Sequence, residues 1–350
     1  MDTKWITNML SRTAENLFWS ARYIERADSL ARLLEVWYRI SLIPNTERGY
    51  TNEWESILET SGIKNEYLKK YKKISKEKII FYLLFDSENY SSVKTCIKTA
   101  RENIRMVRTA VTLEVWNAIN SSYHELDKNL KDTKNILKEL PEIIEWIKKQ
   151  VNLIRGTILN TQLINDGYDF LILGTYFERA DFTARIINVK YFILLPSINY
   201  VGSDIDNFQW SLMLRSISSF RAFKWAYGGQ EITYTKIIDF LILNMTCPRS
   251  LIFSIEKINH HLGRLSKFYK QTSTSNKKIG LMYKKIKNLN ANRITEIGLH
   301  EFLKSFIEEI NFVYKKFEQK YFFGIETWKL KSHTQQLINT VQQYQDLYNV

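Results

Sequence analysis

The feature that most constrains the fold of this 350-residue chain is a charged phrase that occurs twice. Residues 22–32 read RYIERADSLAR, and residues 175–185 read TYFERADFTAR. When the two phrases are aligned, 153 positions apart, the similarity extends over residues 11–104 and 164–262, and short insertions raise the offset to 158. This unit is longer than the repeats of solenoid proteins. The sequence therefore predicts two copies of one multi-helix unit.

The predicted fold class is all-α. Only 4 prolines and 12 glycines interrupt the chain, and no segment alternates apolar and polar residues as a half-buried strand does. In each copy we expect a long helix that ends before a proline, an amphipathic helix, an apolar helix and, after a polar break, a fourth helix capped by serine. The first-copy markers are the segment 14–42 before Pro44, Trp54, the segment 78–84, and Ser91 or Ser92; the second-copy markers are Pro196, Trp210, the segment 236–242 and Ser250.

We expect three regions along the chain. Residues 1–150 form the first unit with a linking helix, residues 151–263 form the second unit, and residues 264–350 hold a basic segment and C-terminal helices that pack on the bundle. The linking helix is expected over residues 124–150, with an interruption near Pro141. The last helix is indicated by an apolar stripe at helical spacing, formed by Leu299, Phe302, Phe306, Ile310, Val313 and Phe317.

The repeated phrase distributes its charges over different faces of a helix. At about 100° per residue the apolar side chains share one face, whereas Glu25, Asp28 and Arg32 cluster on the opposite face. Asp28 and Arg32 are four residues apart and can form a salt bridge. Arg26 lies about 100° around the helix from Glu25, so each needs a partner on another helix, in the other copy or in a ligand. The corresponding second-copy residues are Glu178, Arg179, Asp181 and Arg185.

Two interpretations of these charges stay open. In the first, they form interhelical ion pairs that fix how the two units dock, since buried charges need pairing. In the second, the two helices bring both motifs around one cleft, where Arg26 and Arg179 hold a carboxylate or phosphate and Glu25 or Glu178 acts as an acid or base.

A second charged stretch covers residues 100–120. Arg101, Arg105 and Arg108 form a basic ridge. Glu114, Trp116 and Asn120 follow on what we expect to be the same helix. The ridge is either a solvated face or the completion of an anion-binding groove beside the first Glu-Arg helix. The candidate ligand-binding residues are thus Arg26, Asp28, Arg32, Arg179, Asp181, Arg185, Arg101 and Arg105, and the candidate catalytic residues are Glu25 and Glu178.

Several kinds of chemistry are not expected. Helical bundles that hold two irons use Glu-x-x-His, but an arginine follows each motif glutamate here, so no metal is predicted. Cys96 and Cys247 lack the spacing of a zinc site or a disulfide framework. No Ser-His-Asp or Cys-His arrangement is identifiable, and the five histidines are interpreted as surface or packing residues. No cofactor is predicted.

The formal net charge is +13, and part of the excess lies between residues 264 and 293, a stretch without Asp or Glu. Such a stretch can attract nucleic acid or an acidic protein. Lysine is abundant throughout the chain, however, and no nucleic-acid-binding motif accompanies the stretch, so we interpret it as a solvated face and do not expect nucleic-acid binding. No apolar run is long enough to span a bilayer and no secretory signal is evident, which predicts a soluble cytoplasmic protein.

Four separated segments, in order, resemble the bacterial alpha-E family. They are residues 11–34, residues 100–120, residues 156–187, and the pair LRSISSFRAFKWAYGGQ and CPRSLIFSI. The resemblance implies an all-helical, tandemly duplicated domain whose Glu-Arg motif stands at positions 25–26 and 178–179. Asn165 and Thr175 stand where basic residues would be expected, which makes an anion site in the second unit a weaker expectation than one in the first.

The resemblance also implies a setting for function. Members of the family are associated with circularly permuted ATP-grasp ligases and transglutaminase-like proteins in a proposed system for peptide synthesis or modification. The chain would not perform the ATP-dependent step itself, because it lacks the phosphate loop and the strands of such a ligase. Two functions stay open: an accessory protein that binds the ligase or its peptide substrate, or an enzyme whose glutamates act on the peptide or amide product.

Overall fold

The computed structural model describes residues 9, 11–42, 53–129, 136–192 and 204–323. This part of the chain is helical and contains no strand, which confirms the all-α prediction. The helices are α1 Ser11–Ile40, α2 Glu53–Ser61, α3 Lys64–Tyr71, α4 Lys76–Leu84, α5 Val93–Met106, α6 Leu113–Asn129, α7 Ile136–Thr161, α8 Asp166–Phe192, α9 Asp204–Ser216, α10 Phe220–Ala226, α11 Tyr234–Ile238, α12 Leu251–Phe268, α13 Thr274–Lys287, α14 Ala291–Ile297 and α15 Leu299–Tyr321.

Serine caps start the equivalent helices α5 and α12, as the sequence predicted. The Ser92 side chain accepts a hydrogen bond from the Thr95 amide, and the Ser250 side chain accepts one from the Phe253 amide. Each cap satisfies a backbone N–H that has no partner within its helix. Pro44 and Pro196, the expected stops of the long helices, lie outside the described residues.

Two predicted helices are divided differently in the structure. Pro141 lies inside α7 and does not interrupt it. A proline near the start of a helix removes only one backbone hydrogen bond, and the rest of α7 is held by its apolar stripe. Residues 100–120 do not form one helix either, because α5 ends at Met106 and a 3-10 turn, Arg108–Ala110, precedes α6.

The centre of the fold is the parallel pair α1 and α8, the two copies of the repeated helix. Phe18 lies opposite Gly174, and one to two turns later Arg26 lies opposite Glu178, which gives the parallel direction. The two helices approach closely at Gly174, where a Cβ atom would lie 2.2 Å from the backbone oxygen of Phe18. Gly174 is the equivalent of Ala21, so small residues of both copies let the helices meet.

The other helices repeat the same arrangement around each member of the central pair. Helix α5 packs on α1 as α12 packs on α8, and α7 packs on α1 as α15 packs on α8. Helix α6 joins α5 to α7 as α13 joins α12 to α15, while α2 also contacts α8 and α9 contacts α1. The duplication therefore continues beyond the region seen in the sequence.

Helices α7 and α15 align with an offset of 159. Their buried apolar positions then coincide, and VNLIR at 151–155 is matched by INFVY at 310–314. The C-terminal helices thus complete the second copy. The expected boundaries after residues 150 and 263 both fall inside helices, α7 and α12, so neither marks a linker.

Helix α1 is buried on both of its faces. The apolar side of the repeated phrase packs in the core as expected, but Glu25, Asp28 and Arg32, which were assigned to the opposite face, are buried as well. Helices α5, α7, α8 and α9 surround α1, so little of it meets solvent. The polar face of the phrase is therefore an interior surface.

Candidate functional site

The two Glu-Arg motifs pair with each other across the central helices. Arg179 donates to Glu25 through Nε, at 2.8 Å, and through Nη2, at 3.1 Å. Arg26 donates to Glu178 in the same way, with Nε at 2.6 Å and Nη2 at 3.0 Å. Each arginine thus holds the glutamate of the other copy in a bidentate pair, which is the strong form of a charged hydrogen bond. The requirement for distant partners was a correct prediction from the helix geometry.

The half of the site around Glu25 is closed by further arginines. Arg155 of α7 donates through Nη2 to Glu25 and to Asp28, the latter at 3.0 Å. Arg249, one residue before the cap of α12, also reaches both carboxylates, with Nη1 at 3.4 Å from Glu25 and Nη2 at 2.9 Å from Asp28. Arg32 completes the set by its predicted bond to Asp28, at 2.9 Å. Four guanidinium groups therefore enclose two carboxylates.

The half around Glu178 is built with fewer cations. Arg22 donates to Glu178 at 2.8 Å, and its guanidinium lies 4.6 Å from the ring centre of Tyr314. Asp181 accepts two hydrogen bonds from Arg185, at 2.7 and 3.2 Å. With Arg26, three guanidinium groups accompany the two carboxylates of this half.

Burial and ion pairing have opposite effects on the pKa values of the two glutamates. Burial raises the pKa of Glu25, but Arg155 and Arg179 lower it more, and the result is a pKa of about 2. Burial likewise raises the pKa of Glu178, and Arg26 and Arg22 outweigh it to give about 2. Both side chains are therefore ionised at neutral pH and are held by several donors each.

A cleft of about 350 Å³ opens beside the Glu178 half. Its wall combines the charged groups of this half with neutral hydrogen-bonding groups and a short apolar strip. Its lining includes Arg26, Arg185, Glu178, Asp181, Ser29, Ser61 and Ser91. Their side chains bring donors and acceptors together in one concave site, as ligand pockets do.

Equivalent positions explain why one half is closed and the other is open. Ser92 and Ser250 are equivalent caps, so the residues before them, Ser91 and Arg249, are equivalent too. By the alignment of α7 with α15, Arg155 corresponds to Tyr314. The two arginines that close the Glu25 half are thus replaced by a serine and a tyrosine in the Glu178 half, and the cleft lies on the side of that substituted serine.

Sequence reasoning missed Arg22, Arg155 and Arg249. Arg22 belongs to the repeated phrase, and Arg249 lies in a quoted segment, so their presence was visible, but their contacts are with residues 156 and 224 positions away. Arg155 lies outside the repeated phrase and outside every segment singled out in the sequence. Thr175, which stands where a basic residue was expected, is the equivalent of Arg22. Because Arg22 binds Glu178 of the other copy, the missing basic residue at Thr175 concerns the half around Glu25 and not the half around Glu178.

The basic ridge does not join this site. Arg101 donates to Asn120 at 2.7 Å and stacks on Tyr123, while Arg105 pairs with Glu102. The contacts of Arg101 fasten α5 to α6, whereas the pair of Arg105 and Glu102 lies within α5. The basic segment 264–293 makes contacts outside this site, such as that of Lys285 with Glu309 of α15 at 2.7 Å.

One histidine expected to be a surface or packing residue has a defined polar role. His261 is buried, and its Nδ1 lies 2.6 Å from Asp169, which also accepts a hydrogen bond from Arg264 at 2.7 Å. This cluster ties α12 to the start of α8, two turns from the Glu-Arg motif. Within the described residues, no group of three or more His, Cys, Asp and Glu side chains is arranged to hold a metal ion.

The comparison with protein families identifies the chain's relatives. The description that matches residues 9–322 is Alpha-E, a predicted alpha-helical domain with a conserved ER motif. The chain belongs to this family. No curated protein and no solved structure matched it. In this Alpha-E chain the structure gives the ER motif a physical meaning, because Glu25 pairs with Arg179 and Glu178 pairs with Arg26. In the described part of this Alpha-E chain, no helix is both long and apolar enough to cross a membrane.

Proposed function

We propose that this Alpha-E protein is a non-catalytic component of a cytoplasmic system for peptide synthesis or modification. In this proposal it binds an anionic group of a peptide substrate in the cleft and presents the peptide to a circularly permuted ATP-grasp ligase. Such a ligase joins a carboxylate to an amine, so a protein that positions the peptide raises the effective concentration of the reacting groups.

The cleft beside the paired glutamates is the observation that carries the proposal. Arg26 and Arg185 line it, and their side chains are 24% and 32% exposed, so a ligand can reach them. The wall holds three guanidinium groups and two carboxylates, so its net charge is positive. The hydroxyl group of Ser91, which accepts a hydrogen bond from Arg26 Nη1 at 3.5 Å, adds a neutral polar group. A carboxylate between the two arginines would balance this charge.

The state of the glutamates supports binding over acid–base catalysis. A general acid or base works best with a pKa near the operating pH. Glu25 and Glu178 have pKa values of about 2, and each is engaged by several arginines. Cys96 is a poor nucleophile in this setting, because burial raises the pKa of its thiol to about 12.

The test reconstitutes the chain with the ATP-grasp ligase encoded nearest to it. Calorimetry measures binding of the two proteins, and mass spectrometry measures the product. For Arg185→Ala we expect ligase binding to persist and product formation to fall at least about tenfold. Arg293→Ala, which removes an exposed arginine on α14, is the matched control. Unchanged product formation with Arg185→Ala would contradict a substrate role for the cleft.

A further inference from the structure

The closed half of the site, around Glu25, contains arginines that bridge its two carboxylates, and the open half, around Glu178, lacks such a bridge. Resting on the proposed function, we propose that the ligand also carries a guanidinium or primary ammonium group, which bridges Glu178 and Asp181. The ligand is then a peptide group with both charges, such as an arginine or lysine residue next to a free carboxylate.

The Glu25 half contains this bridge as part of the chain. Arg155 and Arg249 each contact both Glu25 and Asp28, so two guanidinium groups span the two carboxylates. The carboxylates lie one turn apart on α1, and a planar group with several N–H donors can reach both. The protein thus shows how an arginine side chain is held by this Glu-x-x-Asp pair.

The Glu178 half has the same carboxylate pair without the bridge. Ser91 and Tyr314 stand at the positions of Arg249 and Arg155. In the described part of the chain, the hydrogen bonds to Glu178 come from Arg22 and Arg26, and those to Asp181 come from Arg185. No described side chain contacts both carboxylates, and both line the cleft. As far as the described residues are concerned, the place of the missing guanidinium is therefore open to a ligand.

A buried hydroxyl group lies in the wall of the same cleft. Ser29 follows Asp28 on α1, is 2% exposed, and lines the cleft. Its Oγ atom has no hydrogen-bond partner among the described residues. A buried polar atom without a partner costs free energy, and a turn of the Ser29 side chain towards a ligand in the cleft would recover it.

Charge balance selects a ligand that carries both signs. The Glu178 half holds Arg22, Arg26 and Arg185 against two carboxylates, so a cation alone would add to a positive excess. A ligand whose carboxylate meets Arg26 and Arg185 and whose cation meets Glu178 and Asp181 leaves the excess unchanged. A cleft of about 350 Å³ is near the lower end of ligand pockets, which suits one or two peptide residues.

The experiment compares three small probes by calorimetry or ligand-observed NMR on the full chain. N-acetylarginine carries both charges, N-acetylcitrulline has the same shape without the cation, and N-acetylargininamide lacks the carboxylate. Because a bridge of charged hydrogen bonds would be lost, we expect N-acetylcitrulline to bind at least about tenfold more weakly than N-acetylarginine.

The outcomes separate this inference from the proposed function. Equal binding of N-acetylarginine and N-acetylcitrulline would overturn the cationic bridge and leave the anion site standing. Binding of neither probe would overturn both. Binding of N-acetylargininamide as tight as that of N-acetylarginine would keep the bridge and remove the carboxylate contact on which the proposed function depends.

Two variants place the binding in the cleft. Ser91→Arg supplies the guanidinium that Arg249 supplies in the other half, and it should abolish binding of N-acetylarginine. Asp181→Asn should remove the preference over N-acetylcitrulline. Glu296→Gln, at an exposed position on α14, is the matched control, and circular dichroism checks the fold of each variant. Undiminished binding by a folded Ser91→Arg protein would refute the assignment.

Discussion

Replacing Glu25 by Gln tests whether the closed half of the site holds the protein together. Glu25 is 1% exposed and accepts hydrogen bonds from Arg155, Arg179 and Arg249. Gln keeps the size of the side chain but removes its charge. The variant therefore leaves these largely buried guanidinium groups with Asp28 as the remaining carboxylate of this half, which is the costly way to break a buried ion pair.

The size of the effect follows from the pKa of Glu25. A value of about 2 in place of the ordinary 4.5 means that the folded protein favours the ionised form by about 3 kcal/mol. Measurements on other buried pairs from which one partner was removed fall in the range of about 3–5 kcal/mol. We therefore expect Glu25→Gln to lower the free energy of unfolding by about 3 kcal/mol.

Urea unfolding followed by circular dichroism measures this loss. Glu296→Gln is the control, because it removes the same charge from a pair whose side chains are more than half exposed, and such pairs contribute about 0–1 kcal/mol. The two variants differ only in the surroundings of the glutamate. A loss for Glu25→Gln no larger than that of the control would refute the view that the arginines stabilise Glu25 in the folded protein.

Three further predictions follow from the same contacts. Because the pKa values of Glu25 and Glu178 are lowered to about 2, their contribution to stability is complete above pH 4.5 and is lost as the pH falls towards 2, so acid titration followed by circular dichroism should show unfolding that begins below pH 4.5. Gly174→Ala places a Cβ atom against the backbone of Phe18 and should cost about 1–3 kcal/mol in urea unfolding; an unchanged midpoint would contradict the close packing of α1 and α8. Cys96, buried and with its pKa raised to about 12, should react with a thiol reagent only after unfolding, and rapid labelling of the native protein would disprove its burial.

Much of the fold could be predicted from local pattern. Helix type, the serine caps of α5 and α12 and the apolar stripe of α15 are set by neighbouring residues, and each of these predictions was confirmed. The position of the helix breaks was less predictable. Pro141 is tolerated within α7, whereas the turn at Arg108–Ala110 divides a stretch that has no proline or glycine.

The sequence predicted which residues belong to the candidate site but not which of them form ion pairs with each other. The duplication pointed to Glu25, Arg26, Glu178 and Arg179, and the helix geometry required that their partners come from elsewhere. The cross-pairing itself depends on the parallel contact of α1 with α8, which brings together residues more than 150 positions apart. No local pattern carries that information.

The sequence by itself determined that this protein is a duplicated helical domain whose charged phrase cannot neutralise itself within one helix, because spacing along a helix is a local property. Only the tertiary structure decided that the two halves of the charged site differ in how they are closed. Arg155 and Arg249 arrive from separate helices and close one half, while Ser91 and Tyr314 leave the other half open. The physical reason is that a buried charge is satisfied by whichever side chains the packing brings within a few ångströms, and packing is a property of the whole chain.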